Sequence, residues 1–177
     1  WPMSRKRRPK QLLPLASDKM MLQESIERIS PLIPAEDVFI ITSAVLQEPI
    51  REAMTFLPAE NVIAEPFKRN TAPCLALAAA CIAEKYSAEF KPDEISIAVL
   101  TADQCISPNE GFIETVKSAL NYVEANPSLC TIGIVPDRPE TGYGYIELAK
   151  PFIKDSKTSI INPIVKFREK PNVTQAQ

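Results

Sequence analysis

The sequence predicts an α/β fold in which a doubly wound, largely parallel sheet is flanked by helices. Patterns typical of helices and of buried strands alternate from about residue 18 to residue 134, and the links between them are short. Such alternation favours right-handed βαβ units. From about residue 143 onward the pattern is more extended and indicates a mixed-sheet region. A length of 177 residues is typical of one domain, so residues 1–177 are predicted to form a single domain.

The composition argues against several classes of protein. Hydrophobic residues make up 45% and charged residues 24% of the chain, and the net charge of −2 gives no reason to expect nucleic acid or a membrane as partner. No apolar run approaches the roughly 20 residues of a membrane span. The chain has no histidine and its four cysteines form no CxxC pair, so neither a Cys/His zinc site nor imidazole catalysis is expected. Free, mostly buried thiols in a reducing cytoplasm are the expected state.

One stretch, residues 61–86, organises the chain. An apolar run at 61–64 indicates a strand, a polar loop begins at Glu65, and a helix follows. Asn70 or Thr71 is a good N-cap, and Pro73 falls in the first turn, where a missing N–H costs little. The apolar or small residues at helical spacing are Leu75, Ala78, Ala79, Ile82 and Tyr86. A helix N-terminus at such a loop suits a nucleotide or another anion. An ordinary connection with a well-capped helix is the alternative, and spacing alone favours it.

The other elements follow from apolar periodicity and from prolines at helix ends. A helix that begins near residue 17 places Leu22, Ile26 and Ile29 on one face and ends at Pro31. Further helices are predicted at about 47–56 and, behind a capping box at 107–110, at about 108–123. Continuous apolar runs predict buried strands at 38–42, 95–100 and 130–134, and a closing strand within 160–171.

The basic run at residues 5–10 has three interpretations. Five of these six residues are Lys or Arg. Such a run is most often a solvated arm, but it also suits a nucleic-acid or nuclear-import patch. The third interpretation is a polyphosphate cradle, in which Arg supplies a fork of donors and Lys a point charge. The apolar residues that follow at 11–15 argue against a floppy arm.

Further candidate positions lie where predicted strands end. Asp103 follows the predicted strand at 95–100, at the carboxyl end where open α/β sheets bind ligands. It suits either a hard cation such as Mg²⁺ or a βα turn in which Asp bonds its own backbone. Gly142 allows a close backbone approach to a sugar, with Tyr143 beside the ring, and a glycine-bent strand is the alternative. Glu169 and Lys170 form a charged pair of the kind usually found solvated at a surface.

The ordered motifs of the chain resemble one enzyme family. WPxSR followed by PKQ, EPxxRNTAP, a strand ending in AD, PETGYGYIE and EKP occur in this order between Trp1 and Pro171. The set is similar to the mannose-1-phosphate guanylyltransferases, or GDP-mannose pyrophosphorylases, of the bacterial sugar nucleotidyltransferase family. The resemblance covers nearly the whole chain. EPxxRNTAP and TGYGYIE are the specific motifs, whereas EKP and the basic PK are shared more widely among sugar nucleotidyltransferases.

The resemblance implies a Rossmann-like nucleotidyltransferase with a mixed, mostly parallel sheet, and an enzyme that joins GTP to mannose 1-phosphate with Mg²⁺ as cofactor. A homodimer is one option for its assembly. A sibling enzyme for another base or sugar, and a non-catalytic sugar-nucleotide-binding homologue, remain alternatives. By resemblance, Lys10 and Arg5 hold the triphosphate, and Asp103 binds Mg²⁺. The guanine and ribose are bound by Glu65, Asn70 and Thr71. The sugar side is bound by Gly142 and Tyr143 at the mannose, by Glu169 at the sugar hydroxyls and by Lys170 at the sugar phosphate.

The resemblance also sets expectations at the two ends of the chain. The family's glycine-rich phosphate loop, and the strand that leads into it, would come before Trp1, and a second metal-binding Asp would follow Gln177. An incomplete domain that lacks its first, central strand is therefore expected. Position 104 is Gln, where the family usually has His, and only a tuning effect is expected from this change.

Overall fold

The chain forms two compact units, residues 1–113 and residues 114–177. The computed structural model describes residues 3–149, 153–154 and 160–176. The helices are α1 (Met21–Ile29), α2 (Ala44–Ala53), α3 (Thr71–Lys85), α4 (Asn109–Ala125) and α5 (Val173–Ala176). The strands are β1 (Ile40–Ser43), β2 (Val62–Glu65), β3 (Tyr145–Leu148), β4 (Ile153–Lys154), β5 (Ile160–Ile161) and β6 (Ile164–Arg168). None of the described helices is long and apolar enough to cross a membrane.

The first unit is built on a pair of parallel strands. Strand β1 lies beside β2 in a register that pairs Ile40 with Val62 and Ser43 with Glu65. Helix α2 connects the two strands, which is the expected βαβ crossover. Together with the flanking helices, this pair confirms the predicted α/β class. The single-domain prediction for residues 1–177 stays a prediction.

A hydrophobic core holds α1, α2 and β2 together. Met54 and Val62 are each only 1% exposed. Leu22, Ile26 and Ile29, which were predicted to share one face of α1, are all buried. Burying a side chain of this size stabilises the fold by roughly 1.5–3 kcal/mol. The cluster consists of Leu12, Leu22, Ile26, Ile50, Met54, Leu57 and Val62. The turn at residues 10–12 is thereby tied to the rest of the unit, because Leu12 belongs to this cluster.

Helix α3 begins at Thr71 with Asn70 in the N-cap position, as predicted, although the Asn70 side chain makes no capping hydrogen bond. The predicted apolar face is only partly confirmed, because Ile82 is buried whereas Leu75 is 37% exposed. Small apolar residues surround this helix on every side, so the periodicity did not determine which face packs. Helix α2 begins at Ala44, earlier than the predicted start near residue 47, and it accommodates Pro49 in its interior.

Two predicted strands are wrong. Residues 95–100 and 130–134 do not form strands in the described part of the chain. Both runs leave large apolar side chains in solvent, since Val99 is 58% exposed and Ile134 is 85% exposed. An apolar run becomes a strand only when another segment pairs with its N–H and C=O groups, and no described segment pairs with either run.

The second unit contains antiparallel ribbons, as the more extended pattern after residue 143 predicts. Strand β3 pairs with β6, with Tyr145 opposite Arg168 and a shift of register after Glu147. The Arg168 guanidinium donates to Glu147 Oε2 from Nε at 2.9 Å and from Nη2 at 2.6 Å. Strands β4 and β5 form a second, shorter antiparallel pair. The closing strand predicted within residues 160–171 is confirmed by β5 and β6.

Candidate functional site

The structure brings Lys10 and Asp103 into direct contact. Lys10 Nζ lies 2.7 Å from Asp103 Oδ2, and the two side chains remain 54% and 33% exposed. Lys10 opens a one-turn 3₁₀ helix, Lys10–Leu12, whose last residue and its neighbour Leu13 are buried. Ala102 packs against the same core, so hydrophobic burial positions both members of the ion pair. Two residues that the sequence proposed separately, as phosphate ligand and as metal ligand, therefore lie together at the surface.

Arg5 lies in a tight turn a few residues before Lys10. The backbones of Arg5 and Arg8 form an isolated antiparallel bridge, with each N–H donating to the other carbonyl at 2.9 Å. The bridge gives the basic run a defined backbone. The solvated-arm interpretation is therefore weaker than the sequence alone made it.

The donor set around Asp103 fits a hard cation that takes most of its ligands from phosphate. Within the described residues, no group of three or more His, Cys, Asp or Glu could enclose a metal ion by itself. Mg²⁺ commonly uses one or two protein carboxylates together with substrate phosphates and water. A single, partly exposed carboxylate beside a lysine suits a metal that arrives with a nucleotide.

The loop after β2 presents polar groups at the start of α3. Glu65 is the last residue of β2, and Asn70 and Thr71 are both exposed at the helix N-terminus. Cys74, one turn into α3, is hydrogen-bonded to Glu65. Burial, and then the Glu65 carboxylate, raise the pKa of the Cys74 thiol. Sequence reasoning missed the contact, although a cysteine one turn inside the helix and close to a strand-end Glu was a signal that could have suggested it.

In the second unit, the Gly142 amide is already bonded. Its N–H donates to Glu140 Oε1 at 3.0 Å, while Arg138 Nε donates to Glu140 Oε2 at 3.4 Å. The Gly142 amide, and secondarily Arg138, hold the pKa of Glu140 below its usual value. A sugar hydroxyl would have to displace Glu140 to reach this amide. Tyr143 is 70% exposed beside it.

Pairing of β3 with β6 brings the glycine-rich motif to the EKP motif. A Cβ built at Gly144 would lie 3.5 Å from both the Arg168 carbonyl oxygen and Glu169 Oε2, at ordinary van der Waals distance, so the two motifs are neighbours here. Lys170 Nζ is 3.8 Å from Glu169 Oε1, and both side chains are mostly solvated. Lys170 also has a φ of 37°, a left-handed conformation that non-glycine residues rarely adopt. Strained backbone of this kind is concentrated at functional sites.

Comparison with known proteins decides the family. The sequence model described as "Nucleotidyl transferase" matches residues 1–177, the whole chain. The chain belongs to the nucleotidyl transferase family. Nucleotidyl transferases generally use a divalent metal.

The family resemblance drawn from the motifs is confirmed by individual relatives. The chain is 39% identical over 180 residues to a mannose-1-phosphate guanylyltransferase of Escherichia coli K12, a match that covers 100% of this chain and 36% of the relative. A mannose-1-phosphate guanylyltransferase of Salmonella montevideo is 37% identical over 181 residues, with coverages of 100% and 36%. The chain thus spans about a third of the length of the curated relatives it matches.

A solved structure agrees with the fold. The chain is similar to a crystal structure named mannose-1-phosphate geranyltransferase, from Thermus thermophilus, with a TM-score of 0.77 and 30% identity. The match covers 99% of this chain and 48% of that one. The names of these relatives agree on mannose 1-phosphate and differ on the group transferred. The roles given above to single residues stay predictions.

Proposed function

We propose that this chain carries the site of a nucleotidyl transferase that transfers a guanylyl group from GTP to mannose 1-phosphate. The products are GDP-mannose and pyrophosphate. The contact between Lys10 and Asp103 supports the proposal, because a lysine of the kind that binds phosphate lies beside a carboxylate of the kind that binds Mg²⁺. The shared mention of mannose 1-phosphate in the names of the relatives supports the sugar.

The reaction needs charge neutralisation and positioning more than proton transfer. An oxygen of the sugar phosphate attacks the α-phosphorus of GTP in line and forms a new P–O bond. The bond between the α-phosphorus and the oxygen that bridges it to the β-phosphate breaks. Negative charge then accumulates on the leaving pyrophosphate. A chain without histidine can support this chemistry through cations and backbone donors alone.

Each predicted residue has a role in this scheme. Lys10 and Arg5 bind the triphosphate, and Asp103, which is ion-paired with Lys10, would hold Mg²⁺. The bound Mg²⁺ supplies charge neutralisation and orientation of the phosphates. Glu65, Asn70 and Thr71 bind the guanine and the ribose. Gly142, Tyr143 and Glu169 bind the mannose, and Lys170 binds the sugar phosphate.

The first experiment is calorimetric titration of the chain with GDP-mannose and with UDP-glucose, each with Mg²⁺. We expect a clear preference for GDP-mannose. Equal binding of both sugar nucleotides would remove guanine and mannose specificity, and a preference for UDP-glucose would favour the sibling enzyme. A panel of GTP, ATP and UTP then identifies the nucleotide.

The cradle assignment is tested by Lys10→Ala, with pyrophosphate release measured in the longest form of the protein that the gene encodes. We expect kcat/KM for GTP to fall by about 100-fold or more, as for other lost charge-stabilising donors. Lys19→Ala is a matched control, because Lys19 Nζ also binds a carboxylate, Glu27, and its side chain is equally exposed at 54%. If the Lys10→Ala variant releases pyrophosphate at the wild-type rate, Lys10 does not have this role.

A non-catalytic sugar-nucleotide-binding protein is the alternative of a different class. It predicts binding of GDP-mannose with no pyrophosphate release under any nucleotide. Cytoplasmic location, a homodimer and the absence of nucleic acid from the partners also remain predictions from the sequence.

A further inference from the structure

Asp103 lies in a turn that no strand supports in the described part of the chain. Residues 102–103 form this turn, and the apolar run at 95–100 that leads into it is not a strand there. A strand would fix the residues that follow it through a ladder of backbone hydrogen bonds. Ala102 packs against the core, but this contact alone does not fix the direction of the next side chain. Other contacts are needed to hold the Asp103 carboxylate in one place.

Helix α1 makes two such contacts, one on each side of Asp103. The Ser25 hydroxyl donates to the Thr101 carbonyl at 3.4 Å, and Arg28 Nη2 donates to the Gln104 carbonyl at 3.4 Å. Ser25 and Arg28 are three residues apart on the helix, so they share one face of it. The main chain on both sides of Asp103 is thus held by a single helix face.

The packing of α1 does not by itself account for these two side chains. Ser25 is only 7% exposed and lies among the buried residues Leu22 and Ile26. A hydroxyl buried in such surroundings requires a hydrogen-bond partner, whereas an apolar side chain would not. The guanidinium carbon of Arg28 lies 5.9 Å from the centre of the Phe112 ring, a cation–π distance that restrains its direction. Both donors are therefore held in place before they reach the Asp103 turn.

The same helix is also tied to the segment that carries Lys10. At the start of α1, the Met21 N–H donates to the Leu13 carbonyl at 3.2 Å. Leu13 directly follows the 3₁₀ helix that begins at Lys10. Helix α1 therefore contacts the main chain next to both members of the pair whose Lys10 Nζ and Asp103 Oδ2 are 2.7 Å apart.

We propose that Ser25 and Arg28 are positioning residues for the Asp103 carboxylate. They act through the main chain of residues 101–104, which we call the Asp103 turn, and do not touch the substrates. The consequence for a metal ion rests on the proposed function, in which Asp103 would hold Mg²⁺, whereas the effect on the turn does not. Groups that orient a metal ligand from outside commonly change metal affinity by about 10–100-fold when they are removed.

The test compares two double variants of the chain. Ser25→Ala/Arg28→Met removes both donors to the Asp103 turn and introduces residues that favour a helix. The matched control is Ser30→Ala/Arg51→Met, because the Ser30 hydroxyl and Arg51 Nε each donate to a backbone carbonyl at 2.9 Å outside this turn. The control therefore also loses one hydroxyl and one guanidinium that hold backbone carbonyls.

The first measurement needs no ligand. Backbone ¹⁵N relaxation gives the order parameters of residues 101–104 in the NMR spectrum of each variant. We expect these values to fall from about 0.85 in the wild type to below about 0.6 in Ser25→Ala/Arg28→Met, and to stay near the wild-type value in the control.

The second measurement is the Kd for Mn²⁺, used as a spectroscopic substitute for Mg²⁺, in the presence of GTP. Electron paramagnetic resonance of the free Mn²⁺ gives this value. We expect the Kd to rise by at least about tenfold in Ser25→Ala/Arg28→Met and to stay within about twofold of wild type in the control. Loss of the positive charge of Arg28 would by itself strengthen cation binding, so a weaker affinity has the opposite sign to a charge effect.

Three results would overturn the proposal. The first is unchanged order parameters in the Asp103 turn, and the second is a more mobile turn with wild-type affinity for Mn²⁺. The third is an equal change in the control, which would indicate a general loss of stability. If Ser25→Ala/Arg28→Met does not fold, Arg28→Met alone, at a partly exposed position, is subjected to both measurements with the same expected directions.

Failure of this proposal is distinguishable from failure of the proposed function. If the wild type binds no Mn²⁺ in the presence of GTP, the metal-binding role of Asp103 is wrong. The order parameters then decide by themselves whether Ser25 and Arg28 hold the Asp103 turn.

Discussion

Asn61 offers a sharp test of what stabilises the first unit. Its side chain is completely buried, and Nδ2 donates to the Glu36 carbonyl at 2.8 Å and to the Val38 carbonyl at 3.0 Å. Lys85 Nζ donates to Asn61 Oδ1 at 2.9 Å and to the Glu36 carbonyl at 2.9 Å. One side chain thus joins the end of α3 to the segment that leads into β1.

We expect Asn61→Leu to destabilise the chain by about 3 kcal/mol. The substitution keeps the approximate size but removes two neutral hydrogen bonds, each worth about 1 kcal/mol net, and one bond from a charged donor. The Glu36 carbonyl keeps its bond from Lys85, so the orphaned acceptor is mainly that of Val38. The loss of stability is therefore limited, since the largest penalties arise when a buried polar group is left without any hydrogen bond.

The assay is urea unfolding followed by far-UV circular dichroism, where a loss of this size lowers the midpoint by about 1–2 M. Asn121→Leu is the control, because Asn121 is exposed on α4, and we expect it to change stability by no more than about 0.5 kcal/mol. A double-mutant cycle with Lys85→Met isolates the contact with Lys85. If Asn61→Leu is as stable as the wild type, buried polar pairing does not hold these segments together.

Three further predictions use groups with perturbed environments. Burial and the hydrogen bond to Asp37 raise the pKa of Tyr86 to about 12. The contribution of Tyr86 to stability is therefore complete below pH ~10 and is lost as the pH rises through about 12. Absorbance titration should show this late transition in the wild type and not in Tyr86→Phe. Because Lys170 has a φ of 37°, Lys170→Gly should raise stability by about 0.5–1 kcal/mol in urea unfolding, and Lys170→Ala should not. Because burial and Glu65 raise the pKa of Cys74, a maleimide should label Cys74 more slowly than the exposed Cys105. The substitution Glu65→Gln should increase the rate at which Cys74 is labelled. Equal labelling rates at the two cysteines would contradict this prediction.

Local patterns predicted the parts of the fold that local forces decide. The face of α1 was correct, because periodicity acts within a few residues. Helix α3 begins at Thr71 as predicted, although the Asn70 side chain makes no capping hydrogen bond. The strands at 95–100 and 130–134 were wrong, because strand formation depends on a partner that can be far away in the chain. Periodicity records how apolar a segment is and does not record which segment pairs with it.

The candidate site shows the same division between local and distant effects. Lys10, Asp103 and Glu169 were each singled out from motifs, but their neighbours were not. The bond from Gly142 to Glu140 depends on the local backbone of one loop, and the position of Gly144 beside the EKP motif depends on the register of β3 and β6. Neither can be read from residue types and spacing alone.

The strength of the Lys10–Asp103 contact bears on whether it is structural or functional. Both side chains are a third or more exposed, and exposed ion pairs are worth only about 0.2–1 kcal/mol. Giving up the pair therefore costs less than a tenfold loss of ligand affinity, since tenfold corresponds to about 1.4 kcal/mol. The core supports the backbone of this region through Leu12 and Ala102 and does not need the ion pair for that purpose. A contact that adds so little stability is easily exchanged for a phosphate and a metal ion, which is what the proposed reaction requires of it.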